Sequence, residues 1–209
     1  MSDIYDIQAR FFEALSLIQE AKLEYVLCGG LAASQYRDQP RLTADIDFIV
    51  RDEPKSRASA RKIITTMGLK PHELRKADLD GGPLFAIEAK STPVQVFVGR
   101  KPEDKRAIGI DFLLSNRLGA AQALTRGQNN LVDFGSTKVP MITIEDLIVA
   151  KLVAARPKDV DDLVSIFSSH PDFDIPYLSG QLEELSILIP TQVQGVMPPA
   201  LARFARKLS

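Results

Sequence analysis

The chain is poor in the residues that staple or colour a small protein: it has one cysteine, Cys28, and two histidines, His72 and His170, in 209 residues. A single cysteine excludes an intramolecular disulfide framework and fits a reducing compartment. The two histidines are too isolated to suggest a metal site. No apolar run approaches the ~20 residues needed to span a bilayer. The first residues are polar and acidic at Ser2, Asp3 and Asp6, so they do not read as a secretory signal, and a cytoplasmic, non-membrane protein is expected. An excess of one charge is also lacking. Lys and Arg number 26 against 27 Asp and Glu, which removes any global pull toward nucleic acid or an anionic surface and leaves only local patches open. There is no Gly-x-x-x-x-Gly-Lys-Ser/Thr loop and no Gly-x-Ser-x-Gly elbow, which argues against a P-loop NTPase and an α/β-hydrolase. Internal repeats and low-complexity segments are absent.

What is there is an ordinary globular pattern, long enough for one large domain or two small ones. Ile4, Ile7, Phe11, Ala14, Leu15 and Ile18 recur at helical spacing, which predicts a helix over residues 3–22. Tyr25 to Cys28 reads as a short buried strand that delivers Gly29-Gly30 to a helical stretch, Leu31 to Tyr36. Asp38 and Pro40 mark a loop, and Asp45 to Val50 is a second strand. A helix follows from Pro54 to about Met67, closed by Gly68. Asp80 to Pro83 is a turn. Further strands are expected at Leu84–Ala89, Val94–Val98 and Ile108–Leu114, with a charged loop from Arg100 to Arg106 between the last two. Asn116 to Gly127 reads as a helix, and Leu131–Phe134 with Lys138–Ile142 as a hairpin. Thr143 and Asp146 have the form of a capping box, with Asp in place of the usual Glu or Gln. Helices are expected to about Ala155, from Pro157 to Phe167, and near Leu178–Leu188 and Pro199–Lys207. This order argues for a mixed sheet with flanking helices and a helical C-terminal part.

The chemistry is concentrated in Asp45-Ile46-Asp47. On a strand, residues i and i+2 share a face, so both carboxylates converge while Ile46 and Phe48 point away. Like charges held together cost free energy unless neutralised, and a divalent cation is the usual neutraliser. The glycine pair between strand and helix presents backbone N–H groups to an anion. A metal site and a phosphate site in one short unit suggest phosphoryl transfer on a nucleotide. Such a site calls for a third carboxylate from a neighbouring strand. Asp111, an acid within the apolar run Ile108–Leu114, is favoured, and Glu88 competes for the role. Arg41 and Thr43 either position the Asp45 strand or meet the nucleotide. Cys28 reads as a small buried apolar residue. Lys158 and Asp162, four apart, are spaced for a helix-surface ion pair.

The segment Leu27-Cys28-Gly29-Gly30, followed by Arg41-Leu42-Thr43-Ala44-Asp45-Ile46-Asp47-Phe48-Ile49-Val50, resembles the signature of the DNA polymerase β-type nucleotidyltransferase superfamily. Its Arg-x-Thr-x-Asp-Ile-Asp form is similar to the AbiEii-like and minimal nucleotidyltransferases of bacteria. The stretch from Ile144 to Leu163, with Glu145, Asp146, Lys151, Arg156, Lys158, Asp159 and Asp162, resembles a second block of that group. The resemblance implies a nucleotidyltransferase fold: an α/β mixed sheet flanked by helices, with a core over residues 1–115 and a mostly helical region, 116–209, packed on it. It implies Mg²⁺, one or two ions, with Mn²⁺ as a substitute, held by Asp45, Asp47 and Asp111. It places Gly29, Gly30 and Lys151 near the phosphates of an NTP. Two ions would bridge attacking and leaving oxygens, and the third carboxylate would help activate the nucleophile. Implied partners are a protein or tRNA acceptor and a cognate antitoxin. Two further readings stay open: a binding module that keeps the fold without turnover, and a transferase acting on a sugar or antibiotic. Lys151 could also lie in solvent at the edge of the face marked by Ile148, Leu152 and Ala155.

Overall fold

The computed structural model describes residues 2–75, 94–101, 103, 107–117, 119–170 and 172–205. The expected turn at Asp80–Pro83, the strand at Leu84–Ala89 and the competing acid Glu88 lie outside the described residues.

Helix α1 (Ser2–Glu20) buries Phe11, Ala14, Leu15 and Ile18, the stripe that its periodicity demands. Strand β1 (Tyr25–Cys28) runs directly into α2 (Gly29–Tyr36), so the glycine pair is the first turn of the helix and not a loop before it. Strand β2 (Asp45–Val50) and helix α3 (Pro54–Thr66) follow, and Gly68 closes the helix at φ +72. Strand β3 (Lys70–Arg75) was not anticipated, because Lys-Pro-His-Glu-Leu-Arg carries no apolar pattern. Among the described strands it lies at the edge of the sheet, and an edge position tolerates Pro71. Strand β4 (Val94–Arg100) runs two residues past its expected end, so Arg100 closes a strand and does not open a charged loop. Strand β5 (Gly109–Leu114), helix α4 (Ala120–Gly127) and the hairpin β6 (Leu131–Phe134) and β7 (Thr137–Pro140) come next. The C-terminal part is helical: α5 (Ile144–Ala154), α6 (Pro157–Ser169), α7 (Ile175–Glu184), the short α8 (Thr191–Gln194) and a 3-10 turn over Pro199–Phe204. None of these helices is long and apolar enough to cross a membrane.

The described sheet has five strands in the order β1-β2-β5-β4-β3. Only the β2–β5 pair is parallel, which makes the sheet mixed, as expected. Alternation sorts its two faces. Ile46, Phe48 and Val50 of β2 lie beside Ile110, Phe112 and Leu114 of β5, all buried. Phe48 stacks on Phe112 at 5.7 Å and on Phe11 of α1 at 6.4 Å. Across Gly99, Ile110 meets Ile64 of α3, so α1 and α3 cover this apolar face. The opposite face carries Asp45, Asp47 and Asp111, with Val26 and Cys28 of β1. Gly127 lets α4 press against Val26 there; a Cβ would stand 2.6 Å from the valine Cγ1. The segment after the hairpin is tied to β1 by Ile142 N–H donating to the Leu27 carbonyl at 2.8 Å. Asn130 Nδ2 donates to the Met141 carbonyl and to Tyr36 Oη, each at 2.9 Å, and the Tyr36 hydroxyl donates to the Ile142 carbonyl at 2.9 Å.

Candidate active site

The parallel pairing of β2 and β5 sets Asp47 directly beside Asp111, and Asp45 beside Gly109. Three carboxylates therefore share one patch of the sheet. Burial and the charges of Asp111 and Asp45 push the Asp47 carboxyl up to about 6. Burial also raises Asp111, against the pull of Arg100. Arg100, at the end of β4, forks onto Asp111 with Nη1–Oδ1 at 2.5 Å and Nη2–Oδ2 at 2.9 Å. The same guanidinium reaches Asp45 Oδ1 at 3.2 Å. The charged run from Arg100 to Arg106 predicts a loop at Arg100, but the strand period carries that residue into β4. Val98 pairs with Asp111, and Arg100, two residues on, shares its face.

Gly29 and Gly30 sit over Asp47. Gly29 has φ +66, and a Cβ there would stand 1.9 Å from Asp47 Oδ2. Gly30 N–H donates to the Asp47 carboxylate, so the anion met by this helix start is one of the protein's own. A Cβ on Gly30 would meet Thr43 Oγ1 at 2.7 Å. Gly29→Ala should lose more stability than Gly68→Ala. Both glycines have positive φ, but Gly68, at φ +72, has nothing within 4 Å of a new Cβ. Each substitution carries the left-handed backbone cost of roughly 1–2 kcal/mol, and only Gly29→Ala must also displace a carboxylate. Thermal melts of the two variants side by side test this; equal losses would mean that the contact with Asp47 is slack.

Arg41 and Thr43 hold the segment that enters β2. Thr43 Oγ1 donates to the Asp45 carbonyl at 3.1 Å. Arg41 forks onto Asp162 of α6, Nε–Oδ1 at 2.7 Å and Nη2–Oδ2 at 2.9 Å. Arg37 Nη1 adds a bond to Asp162 Oδ1 at 2.8 Å. Lys151 lies neither in solvent nor on a bare edge: it is buried, with Nζ 2.6 Å from Asp162 Oδ2 and 3.1 Å from Asp159 Oδ1. Ala155, expected on the buried face, is exposed and ends α5 at φ +47. Burial alone would raise the Asp162 carboxyl, but its bonds from Arg41 and Lys151 hold it at about 2. Asp159 is held low in the same way, burial being outweighed by Arg156 and Lys151. The surface pair expected between Lys158 and Asp162 does not form: Asp162 is fully buried and taken by other cations, and Lys158 is exposed.

Glu145 and Asp146 serve the helical part. Arg126 lies with its Cζ 3.7 Å from the centre of the Tyr177 ring, and its Nε donates to Asp146 at 3.0 Å. Asp146 also accepts from the Tyr177 hydroxyl at 2.5 Å and from Thr143 Oγ1 at 2.8 Å. Thr143 Oγ1 accepts from Asp146 N–H at 3.3 Å. The shorter Asp thus meets the cap hydroxyl, where a Glu would reach back to the cap backbone. Cys28 is buried, and burial with the nearby Asp47 charge pushes its thiol well up, which makes it a poor nucleophile.

The donor chemistry of Asp45, Asp47 and Asp111 suits a hard divalent cation: carboxylate oxygens only, on one face, with Asp47 raised by crowding that a cation would relieve. Among the described residues, however, no group of three or more His, Cys, Asp or Glu side chains closes on a single metal-sized point. Asp45 and Asp111 are instead gathered around Arg100.

A mixed sheet flanked by helices is the fold of the nucleotidyltransferases. The solution structure of the antibiotic-resistance factor ANT(2'')-Ia superposes with a TM-score of 0.54 at 14% identity, covering 86% of this chain and 90% of that one. An antigenic nucleotidyltransferase-like protein from Paracoccidioides brasiliensis (TM-score 0.46, 11% identity, 86% and 87% covered) and JHP933 from Helicobacter pylori (0.43, 14%, 89% and 75%) are also similar. The family described as nucleotidyl transferase AbiEii toxin, Type IV TA system, matches residues 10–185, and the chain belongs to that family. No curated protein matches it.

Proposed function

We propose that this nucleotidyltransferase moves a nucleoside monophosphate from an NTP to a hydroxyl of a protein or tRNA, in a Mg²⁺-dependent reaction that releases pyrophosphate. The observation that carries the reading is the facing register of Asp47 and Asp111, with Asp45 on the same face and the Gly29-Gly30 helix start above. Asp45, Asp47 and Asp111 would hold Mg²⁺, with Mn²⁺ as a substitute. When bound, the ion supplies charge neutralisation at the α-phosphate. The protein's own groups do the rest. The α2 N-terminus, dipole-positive, would serve the phosphates beside Asp47, which already meets Gly30 N–H. Asp111 takes the proton of the attacking hydroxyl as its oxygen bonds to the α-phosphorus and the bond to pyrophosphate breaks. Arg41 and Thr43 act by fixing the approach to β2, and Lys151 by neutralising Asp162, the acid that anchors Arg41. A protein acceptor is the first choice, because the near-zero net charge offers no broad cationic surface for RNA. The family's Type IV toxin–antitoxin description suggests a cognate antitoxin and a cytoplasmic setting.

Calorimetric titration of the four NTPs, with and without Mg²⁺, tests the site. Wild type should bind at least one NTP only with the metal, and Asp45→Ala/Asp47→Ala should bind none. Absence of binding by wild type would favour a module that keeps the fold without turnover.

A further inference from the structure

The acid patch already contains a cation of its own. Arg100 places Nη1 against Asp111 Oδ1 and Nη2 against Asp111 Oδ2 and Asp45 Oδ1, at 2.5, 2.9 and 3.2 Å. Nη1 also donates to the Gly99 carbonyl at 2.9 Å. The seat is shaped for this group. Residue 109 is glycine, and a Cβ there would stand 2.4 Å from Arg100 Nη1 and 2.6 Å from Asp45 Oδ1. A fork of this kind is a charge-assisted, bidentate pair, among the stronger polar contacts a protein makes. It spreads Asp45 and Asp111 around a planar guanidinium, and no described triad of acids closes on a metal-sized point. The third acid, Asp47, is meanwhile engaged by Gly30 N–H.

We infer that Arg100 is a resident counter-cation that occupies the place of the divalent ion, so that the site takes up metal only when Arg100 leaves Asp45 and Asp111. The inference rests on the proposed metal role of those acids. It makes Arg100 a positioning residue whose departure sets the metal affinity of the free protein. When only a fraction of molecules has the acids released, the apparent dissociation constant rises by the inverse of that fraction. A fork closed in nine molecules of ten weakens metal binding about tenfold.

The test is an electron paramagnetic resonance titration of Mn²⁺ into full-length protein without nucleotide. Arg100→Gln keeps much of the side chain's bulk and removes its charge. It should bind Mn²⁺ about tenfold or more tightly than wild type, and adding Asp47→Asn to it should abolish the gain. Arg100→Lys, which keeps the charge and gives up the fork, should fall between, and provides the comparison if Arg100→Gln does not fold. If wild type binds Mn²⁺ and the Arg100 variants bind it equally or more weakly, Arg100 is no competitor and the inference fails while the metal role of the acids stands. If neither wild type nor variants bind Mn²⁺, the metal role itself fails and the inference with it.

Discussion

Asp47→Asn should transfer nucleotide about 10³-fold more slowly than wild type and yet melt at a higher temperature at neutral pH. The rate loss follows from removing one of the three carboxylates proposed to share a metal and a triphosphate. The gain in stability follows from what Asp47 endures in the folded state. Burial, Asp111 and Asp45 raise its carboxyl from 3.8 to about 6. A group raised on folding holds its proton more firmly in the native than in the unfolded chain, so Asp47's contribution to wild-type stability falls as pH rises from about 4 to about 6 and is flat above. Two pKa units correspond to at most about 3 kcal/mol, and water at this partly buried position reduces the figure. The Asn amide oxygen still accepts from Gly30 N–H and carries no charge to desolvate. For a chain of this size the gain is read as about 2–4 °C per kcal/mol. Melts of both proteins across pH 4–8, with transfer assayed alongside, check the pair of outcomes. A variant that transfers normally would remove Asp47 from the site; one that melts lower at neutral pH would show that the crowding is relieved in some other way.

Asp162→Ala should be the most destabilising single change in the helical part, by about 3–5 kcal/mol, a fall of about 6–20 °C in melting temperature. Its carboxylate is fully buried and bonds Arg37, Arg41 and Lys151. Removing it leaves Lys151 buried with Asp159 alone and frees the fork of Arg41. Asp161 is the control. It also pairs with Arg37, at 2.9 Å, but its side chain is 66% exposed, and exposed pairs contribute roughly 0–1 kcal/mol. Here the pH dependence has the opposite sign from that of Asp47. The Asp162 carboxyl is lowered from 3.8 to about 2, so its contribution is complete above about pH 4 and fades as pH falls toward 2. Equal melting temperatures for Asp161→Ala and Asp162→Ala would show that the buried network carries no stability.

Strands with an apolar run and clear limits were legible from the amino-acid order alone: Tyr25–Cys28 and Asp45–Val50 have the expected bounds. So was the mixed sheet, because helices and strands alternate before the helical part begins. The pairing of Asp47 with Asp111 was not legible. Register between strands more than 60 positions apart is set by packing in three dimensions, and a one-residue slip would have turned Asp111 to the other face. Lys70–Arg75 escaped because it carries no apolar pattern, as a strand at the edge of the described sheet need bury little. Asp162 reads as a helix-surface charge because no residue near it in sequence shows that Arg37 and Arg41 come to meet it. Arg100 was misplaced by its neighbours: the charged run that follows it outweighed the strand period behind it.

The bonds from Arg37 and Arg41 to Asp162 join positions 125 and 121 residues apart. That separation has a consequence for synthesis. At about 5–20 residues per second, a growing chain displays β1 and β2 for roughly 6–25 s before Asp162 is made. Through that interval the two arginines that brace the entry to Asp45 have no buried acid to hold. The segment leading into the acid strand is therefore fastened among the last parts of the molecule, and a ribosome stalled midway carries the glycine turn and both aspartates of β2 without the brace that aligns them.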